Sequence, residues 1–268
     1  MEILETKTDI GLVRDKNEDA VLAIRHPRNK NFKLLIAADG MGGKKHGEIA
    51  SNYVVNSLNR WFCNKDVRTL NDTEKTEELL RKYIKSLNTS LIKKYGEDNL
   101  GTTLTLALIN KKNTLILNIG DSRLYIYKNK TRKLIQVTED DSDVWDYYKY
   151  GGVKKDHLRY FANNSIITAC IGICPELCKI TSTVIENDYD IILLLTDGVT
   201  DNITDSKIKR LITWTSKERL LGKIINEAVN IDQKLHVPLY LKRKYTSNYV
   251  IPFCGRDNAS GAIYIKEV

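Results

Sequence analysis

Thr102-Thr103-Leu104-Thr105-Leu106-Ala107-Leu108-Ile109, Thr114-Leu115-Ile116-Leu117-Asn118-Ile119 and Arg123-Leu124-Tyr125-Ile126-Tyr127 follow one another with only short polar turns between them. Each run alternates or is continuously apolar, the signature of strands rather than helices. Strands joined so closely must pair antiparallel, because a parallel neighbour needs a crossover of about a dozen residues or more. Outward from this block, residues 21–24 and 32–38 read as two strands around a polar turn, and further strands are expected at 181–185, 190–196 and 259–266. Elsewhere the period lengthens. Ile49, Tyr53, Val54, Leu58 and Trp61 fall at helical spacing. Leu80, Tyr83, Ile84, Leu87, Leu91 and Tyr95 do the same, with Glu74, Glu77 and Glu78 early, Lys93 and Lys94 late, and Gly96 as the stop. Residues 206–230 also read as helical. Strands in runs and helices in pairs predict an α+β layered fold, not a doubly wound parallel sheet. No repeat, low-complexity tract or proline cluster breaks the chain, so one domain over 1–268 is expected.

Composition narrows the function classes. The 268 residues carry 42 Lys and Arg against 34 Asp and Glu, a net charge of +8, with 42% hydrophobic and 28% charged residues. That balance excludes disorder and collagen-like repetition as the main state. The longest aliphatic run, Ile191-Ile192-Leu193-Leu194-Leu195, is far shorter than the roughly 20 residues of a membrane helix, and the acidic start of the chain has no apolar signal-peptide core. A cytoplasmic protein without a membrane partner is expected. The positive balance raises nucleic acid as a partner, but the cations are scattered in pairs and triplets, and 29 are Lys against 13 Arg. A solvated lysine-rich surface, with no nucleic-acid partner, is the better reading. Cys63, Cys170, Cys174, Cys178 and Cys254 are expected to be reduced thiols in the core, since the 170–178 spacing and Pro175 do not suit a zinc site.

Acidic residues at strand ends are the informative feature. Leu34-Leu35-Ile36-Ala37-Ala38-Asp39-Gly40 and Ile191-Ile192-Leu193-Leu194-Leu195-Thr196-Asp197-Gly198 share one form, a hydrophobic strand running into Asp-Gly, and Asn118-Ile119-Gly120-Asp121 is a close variant. Asp257-Asn258 precedes the last expected strand, and Asn17-Glu18-Asp19 precedes the first. A buried strand holds such a carboxylate rigidly. Acids converging from five segments repel one another unless a cation offsets them, and hard divalent ions such as Mg²⁺ or Mn²⁺ suit carboxylate, carbonyl and water oxygens. The glycine-rich stretch 40–47 matches neither GxGxxG nor a Walker loop.

Taken in order, Gly11-Leu12-Val13-Arg14-Asp15-Lys16-Asn17-Glu18-Asp19-Ala20, Asp39-Gly40-Met41-Gly42-Gly43, Gly47-Glu48-Ile49-Ala50-Ser51, Gly101-Thr102-Thr103, Gly120-Asp121-Ser122-Arg123, Asn164-Ser165-Ile166-Ile167-Thr168 with Gly172, Thr196-Asp197-Gly198 and Asp257-Asn258 resemble the metal-dependent protein phosphatases of the PP2C or PPM type, in particular their bacterial single-domain branch. The resemblance spans residues 11–265. It implies a four-layer α-β-β-α sandwich of two antiparallel sheets flanked by helices, with metals in a cleft at one end. It further implies that Asp39 bridges two metals beside the Gly40 carbonyl, that Asp197 and Asp257 complete one site, that Glu18 and Asp19 support the second through water, and that Asp121 helps hold a weaker third. Which of Glu18 and Asp19 dominates stays open. Arg14 occupies the place of the arginine that grips the substrate phosphate. The implied activity is hydrolysis of phosphoserine or phosphothreonine in proteins by a metal-activated water, with two Mn²⁺ or Mg²⁺ ions. Phosphorylated proteins, including a cognate kinase or its substrates, are the implied partners. The competing class is a non-catalytic phosphoprotein-binding module that keeps the fold, which the intact Asp39, Asp197 and Asp257 disfavour.

Some positions depart from the family pattern. Met41 stands where animal members carry a histidine. Asp141 replaces the histidine of the usual DHS motif, and two readings stay open: altered substrate choice or a tolerated surface change. Trp145, Tyr147, Tyr148 and Tyr150 follow in the flap and read best as packing of a short helix. The stretch at about 231–256 is longer than the family pattern, and two readings stay open: an insertion that contacts a partner, or, the better reading, a decorated surface loop.

Overall fold

The computed structural model describes residues 2–42, 47–97, 99–161, 163–176, 179–230 and 257–267. The atypical 231–256 stretch, Gly43, Cys178 and Cys254 lie outside the described residues. Among the described residues, eleven strands form two antiparallel sheets. The first sheet holds β1 (Ile3–Asp9), β11 (Ala259–Ile265), β10 (Ile191–Leu195), β7 (Arg123–Lys128) and β8 (Lys133–Gln136), in that spatial order. The second holds β2 (Asp19–Arg25), β3 (Lys33–Met41), β5 (Leu104–Ile109), β6 (Asn113–Ile119) and β9 (Thr181–Glu186), with the two-residue β4 (Gly101–Thr102) paired to the end of β3.

The unbroken apolar runs are explained by burial on both faces. Alternate residues of the central strands point into the space between the sheets, where Leu35, Ala37, Ala107, Ile109, Ile116, Leu124, Ile126, Ile192, Leu194 and Ala262 form one core. The intervening residues of the second sheet, among them Leu34, Ile36, Leu106 and Leu117, pack on α1 (Gly47–Asn64) and α3 (Thr73–Tyr95) through Val54, Leu58, Leu80 and Ile84. On the far side, Tyr125, Leu193 and Ile263 pack under α5 (Asp197–Thr200), α6 (Asp205–Trp214) and α7 (Leu220–Val229). Four layers, α-β-β-α, result. The short α2 (Val67–Asn71) leads into α3. Asp72 caps α3 by accepting the Lys75 N–H at 3.1 Å, and Gly96 ends it at φ 84°.

Four expectations are corrected. β1 precedes the strand that the sequence suggests as first; it is an edge strand of mixed exposure, with a weak apolar pattern. The helical stretch 206–230 is two helices, because Thr215 and Ser216 adopt extended backbone and a 3₁₀ turn at Lys217–Arg219 separates α6 from α7. None of the described thiols is fully buried: Cys63 is partly exposed and packs at the margin of the core under α1 and α3, Cys170 is partly exposed and Cys174 is exposed. Asp141, far from being a surface position, is buried at 2% exposure. In the flap, Trp145 at the start of α4 (Trp145–Lys149) packs with Val153, Leu158 and Phe161, whereas Tyr150 is 81% exposed.

Candidate active site

At one end of the sandwich the strands deliver their acids into a common cleft of about 230 Å³, whose lining includes Arg14, Glu18, Asp39, Gly40, Asp121, Asp197 and Asp257. Of the eight residue positions given a role from sequence, only Asp19 stands outside that lining. It lies behind the wall, directly opposite Asp39 in the β2–β3 register, with Oδ2 accepting the Thr196 hydroxyl at 3.0 Å.

Each acid is held by its element. The Asp39 N–H donates to Thr103 Oγ1, while its carbonyl accepts from Thr103 N–H and Thr102 Oγ1, all at 2.9 Å. β3 does not stop at Asp39 but continues to Met41, so Gly40 pairs with Thr102 inside the strand. Asp197 opens α5, two residues past the end of β10, and Asp121 sits in the tight turn between β6 and β7. Asp257 lies two residues before the start of β11. Its neighbour Asn258 accepts the Glu18 N–H at 2.8 Å and donates to the carbonyls of Ile10 and Lys16, each at 2.9 Å. One amide side chain thus ties the loop that carries Arg14 to the last strand. Arg14 reaches across the cleft mouth, donating to Asp257 Oδ2 at 2.7 Å, with Glu18 Oε2 3.9 Å away.

The electrostatics are unfavourable to the acids alone. Burial first, and then the neighbouring carboxylates, push Asp19, Asp39 and Asp121 well above the usual carboxylate range. Asp197 is pushed up to about 7 by burial and by Asp257 and Asp201. Among the described residues, the buried Oδ1 atoms of Asp19 and Asp197 have no hydrogen-bond partner. A buried, unpartnered carboxylate oxygen is costly, and a divalent cation would satisfy it. The donor set, carboxylates plus the Gly40 carbonyl, is the set that hard cations take. Among the described residues no three His, Cys, Asp or Glu side chains enclose a single point as a closed cage. The acids ring a cleft, an arrangement suited to ions that keep several water ligands.

Sequence reasoning gave no role to Ser165 and Ile167, which line the cleft from the segment after the flap. It also passed over Asp201, which adjoins Asp121 and Asp197 in a neighbouring pocket and accepts from Asn164 Nδ2 at 2.7 Å. Spacing carried a signal for Asp201: it lies four residues after Asp197, and its N–H closes a helical turn on the Asp197 carbonyl at 2.8 Å.

An end-on acidic cleft between two antiparallel sheets, with a guanidinium at its mouth, is an arrangement that suits divalent cations and an anionic substrate. Comparison with known proteins agrees: residues 14–228 match the protein phosphatase 2C family, and the chain belongs to it. It is similar to the serine/threonine phosphatase stp of Listeria welshimeri, with 31% identity covering 78% of this chain and 82% of that one. Protein phosphatase PhpP of Streptococcus pneumoniae is 30% identical, covering 84% and 92%. Among solved structures, a bacterial serine phosphatase superposes with TM-score 0.81 at 28% identity over 98% of this chain and 97% of its own. Serine/threonine phosphatase Stp1 from Staphylococcus aureus does so at 0.79 and 28%, over 100% and 96%.

Proposed function

We propose that this chain hydrolyses phosphoserine and phosphothreonine in proteins, with divalent cations, Mn²⁺ or Mg²⁺, held at the acidic cleft. The observation that carries the reading is the convergence of Asp39, Asp121, Asp197 and Asp257 beside the Gly40 carbonyl, with buried oxygens of Asp19 and Asp197 left unpartnered. Asp39, Gly40, Asp197 and Asp257 would hold two ions, Glu18 and Asp19 would support them, and Asp121 would serve a weaker third. Cations bound there supply a nucleophilic water at neutral pH and offset charge on the phosphoryl oxygens. The chain's own contribution is placement. Rigid strand ends fix the acids, and Arg14 offers a forked donor to the phosphate at the cleft mouth. Family membership and the phosphatase relatives support protein substrates, and opposition to a Ser/Thr protein kinase follows as part of the same reading. The chain would act in the cytoplasm as one catalytic domain; among the described residues no helix is long and apolar enough to cross a membrane.

Assay of a phosphothreonine peptide with Mn²⁺ and then with excess EDTA tests the proposal. Mn²⁺-dependent phosphate release is expected, with Asp197→Asn slower by orders of magnitude. Turnover that is absent, indifferent to EDTA, or near normal in Asp197→Asn would overturn it.

A further inference from the structure

Asp141 stands where the sequence departs from the family's DHS motif, and the structure gives that departure a physical setting. Its side chain is fully enclosed, yet both oxygens are partnered: Oδ2 accepts the Gly120 N–H at 3.0 Å and Oδ1 pairs with Lys179 Nζ. Its main chain is engaged as well. The Asp141 N–H donates to the Gly120 carbonyl at 3.0 Å, and the Asp141 carbonyl accepts the Thr168 N–H at 2.8 Å. Gly120 is therefore gripped from both its donor and its acceptor. It has no slack, for it sits at φ 97°, and a Cβ there would fall 2.6 Å from Thr103 Cγ2. Asp121 is the next residue along that turn. Through Thr168 the same aspartate holds the segment that lays Ser165 and Ile167 along the cleft, a segment also bridged at Ser142 and Ile167.

We infer that the Asp141–Lys179 ion pair is a positioning device of this chain. It bolts the turn bearing Asp121 to the wall bearing Ser165 and Ile167, and so sets the width of the cleft on its Asp121 side. Enclosing a carboxylate is tolerated only with a charged partner and full hydrogen bonding, and Lys179 supplies the charge from a half-exposed position just outside, with its side chain 55% accessible. The device touches neither substrate nor ion. Its consequence for catalysis rests on the function proposed above; its consequence for the turn does not.

The test compares wild type with Asp141→Asn and Lys179→Met. In metal-free protein, hydrogen exchange in peptides containing Gly120 and Thr168 is expected to accelerate about tenfold or more in both variants, with α3 unchanged. Calorimetric titration with Mn²⁺ alone is expected to show the weakest site losing about 10- to 100-fold in affinity. The double variant is expected to be no worse than the worse single, since the two groups act as a unit. Exchange and Mn²⁺ affinity both within about twofold of wild type, whatever happens to the melting temperature, would overturn the inference. Should either single variant fail to fold, the double variant Asp141→Asn/Lys179→Met decides, because it removes both charges and leaves no enclosed carboxylate unpaired. A wild type without phosphatase activity would remove the functional reading while leaving the exchange comparison intact.

Discussion

Arg14 is already in service before any phosphate arrives, because its guanidinium satisfies Asp257 at 2.7 Å while nearly half its side chain stays open to solvent. A cation at Asp257 would displace that contact and leave the fork pointing out of the cleft. Arg14→Ala is therefore expected to raise KM for a phosphopeptide by about 10- to 100-fold, the loss of one charge-assisted hydrogen-bonding group, with a smaller effect on kcat. Arg14→Lys should recover only part of this, since a point charge cannot bind two oxygens at once. Steady-state kinetics on one peptide would separate the two. At this scale the sequence was informative for a physical reason: Asp39, Asp121, Asp197 and Asp257 each adjoin a hydrophobic strand, so their company is visible in the chain. Asp141 has no such neighbour. Its burial comes from Gly120, 21 residues before it, and Lys179, 38 residues after it, contacts that no local pattern records.

Short elements set the cleft's dimensions. α5 begins at Asp197, and Gly198 brings its backbone against the residue after Asp257: a Cβ at Gly198 would lie 2.0 Å from the Asn258 carbonyl oxygen. Backbone has nowhere to move without parting Asp197 from Asp257. Gly198→Ala is thus expected to lower both thermal stability and Mn²⁺ affinity, whereas an alanine at Gly222 of α7, which meets nothing within 4 Å, should leave affinity unchanged. Calorimetry on the two variants checks this. The strands at the centre of both sheets were legible because they are apolar on two faces. β1 was not: Ile3-Leu4-Glu5-Thr6-Lys7-Thr8-Asp9 covers only one side of β11, and it is half-buried at its two ends and exposed at Thr6, Lys7 and Thr8. The break between α6 and α7 was missed because Thr and Ser are weak helix formers, not prohibited ones.

Across the whole molecule, the cleft opposes folding until it is neutralised. Asp19, Asp39, Asp121 and Asp197 have native pKa values above the unfolded value near 3.9, with Asp197 at about 7. The protonated forms are thus favoured by the native state. Their contribution is fully present below about pH 4 and is lost as pH rises through 7. Metal-free protein is expected to melt at progressively lower temperature from about pH 5 to pH 8. Mn²⁺ binds the ionised acids, so the rise in Tm it produces should grow over the same interval, and thermal scans with and without Mn²⁺ would show the two curves diverging. A pH-independent difference would contradict this account. One feature of the topology reaches into biosynthesis. β11 lies between β1 and β10, made respectively from the earliest and a late part of the chain, and it brings Asp257 with it. On the ribosome, both flanking strands must wait with open hydrogen-bonding edges until residues 259–265 emerge. A nascent chain therefore exposes both edges until those residues emerge, which makes it a natural client for chaperones over that interval.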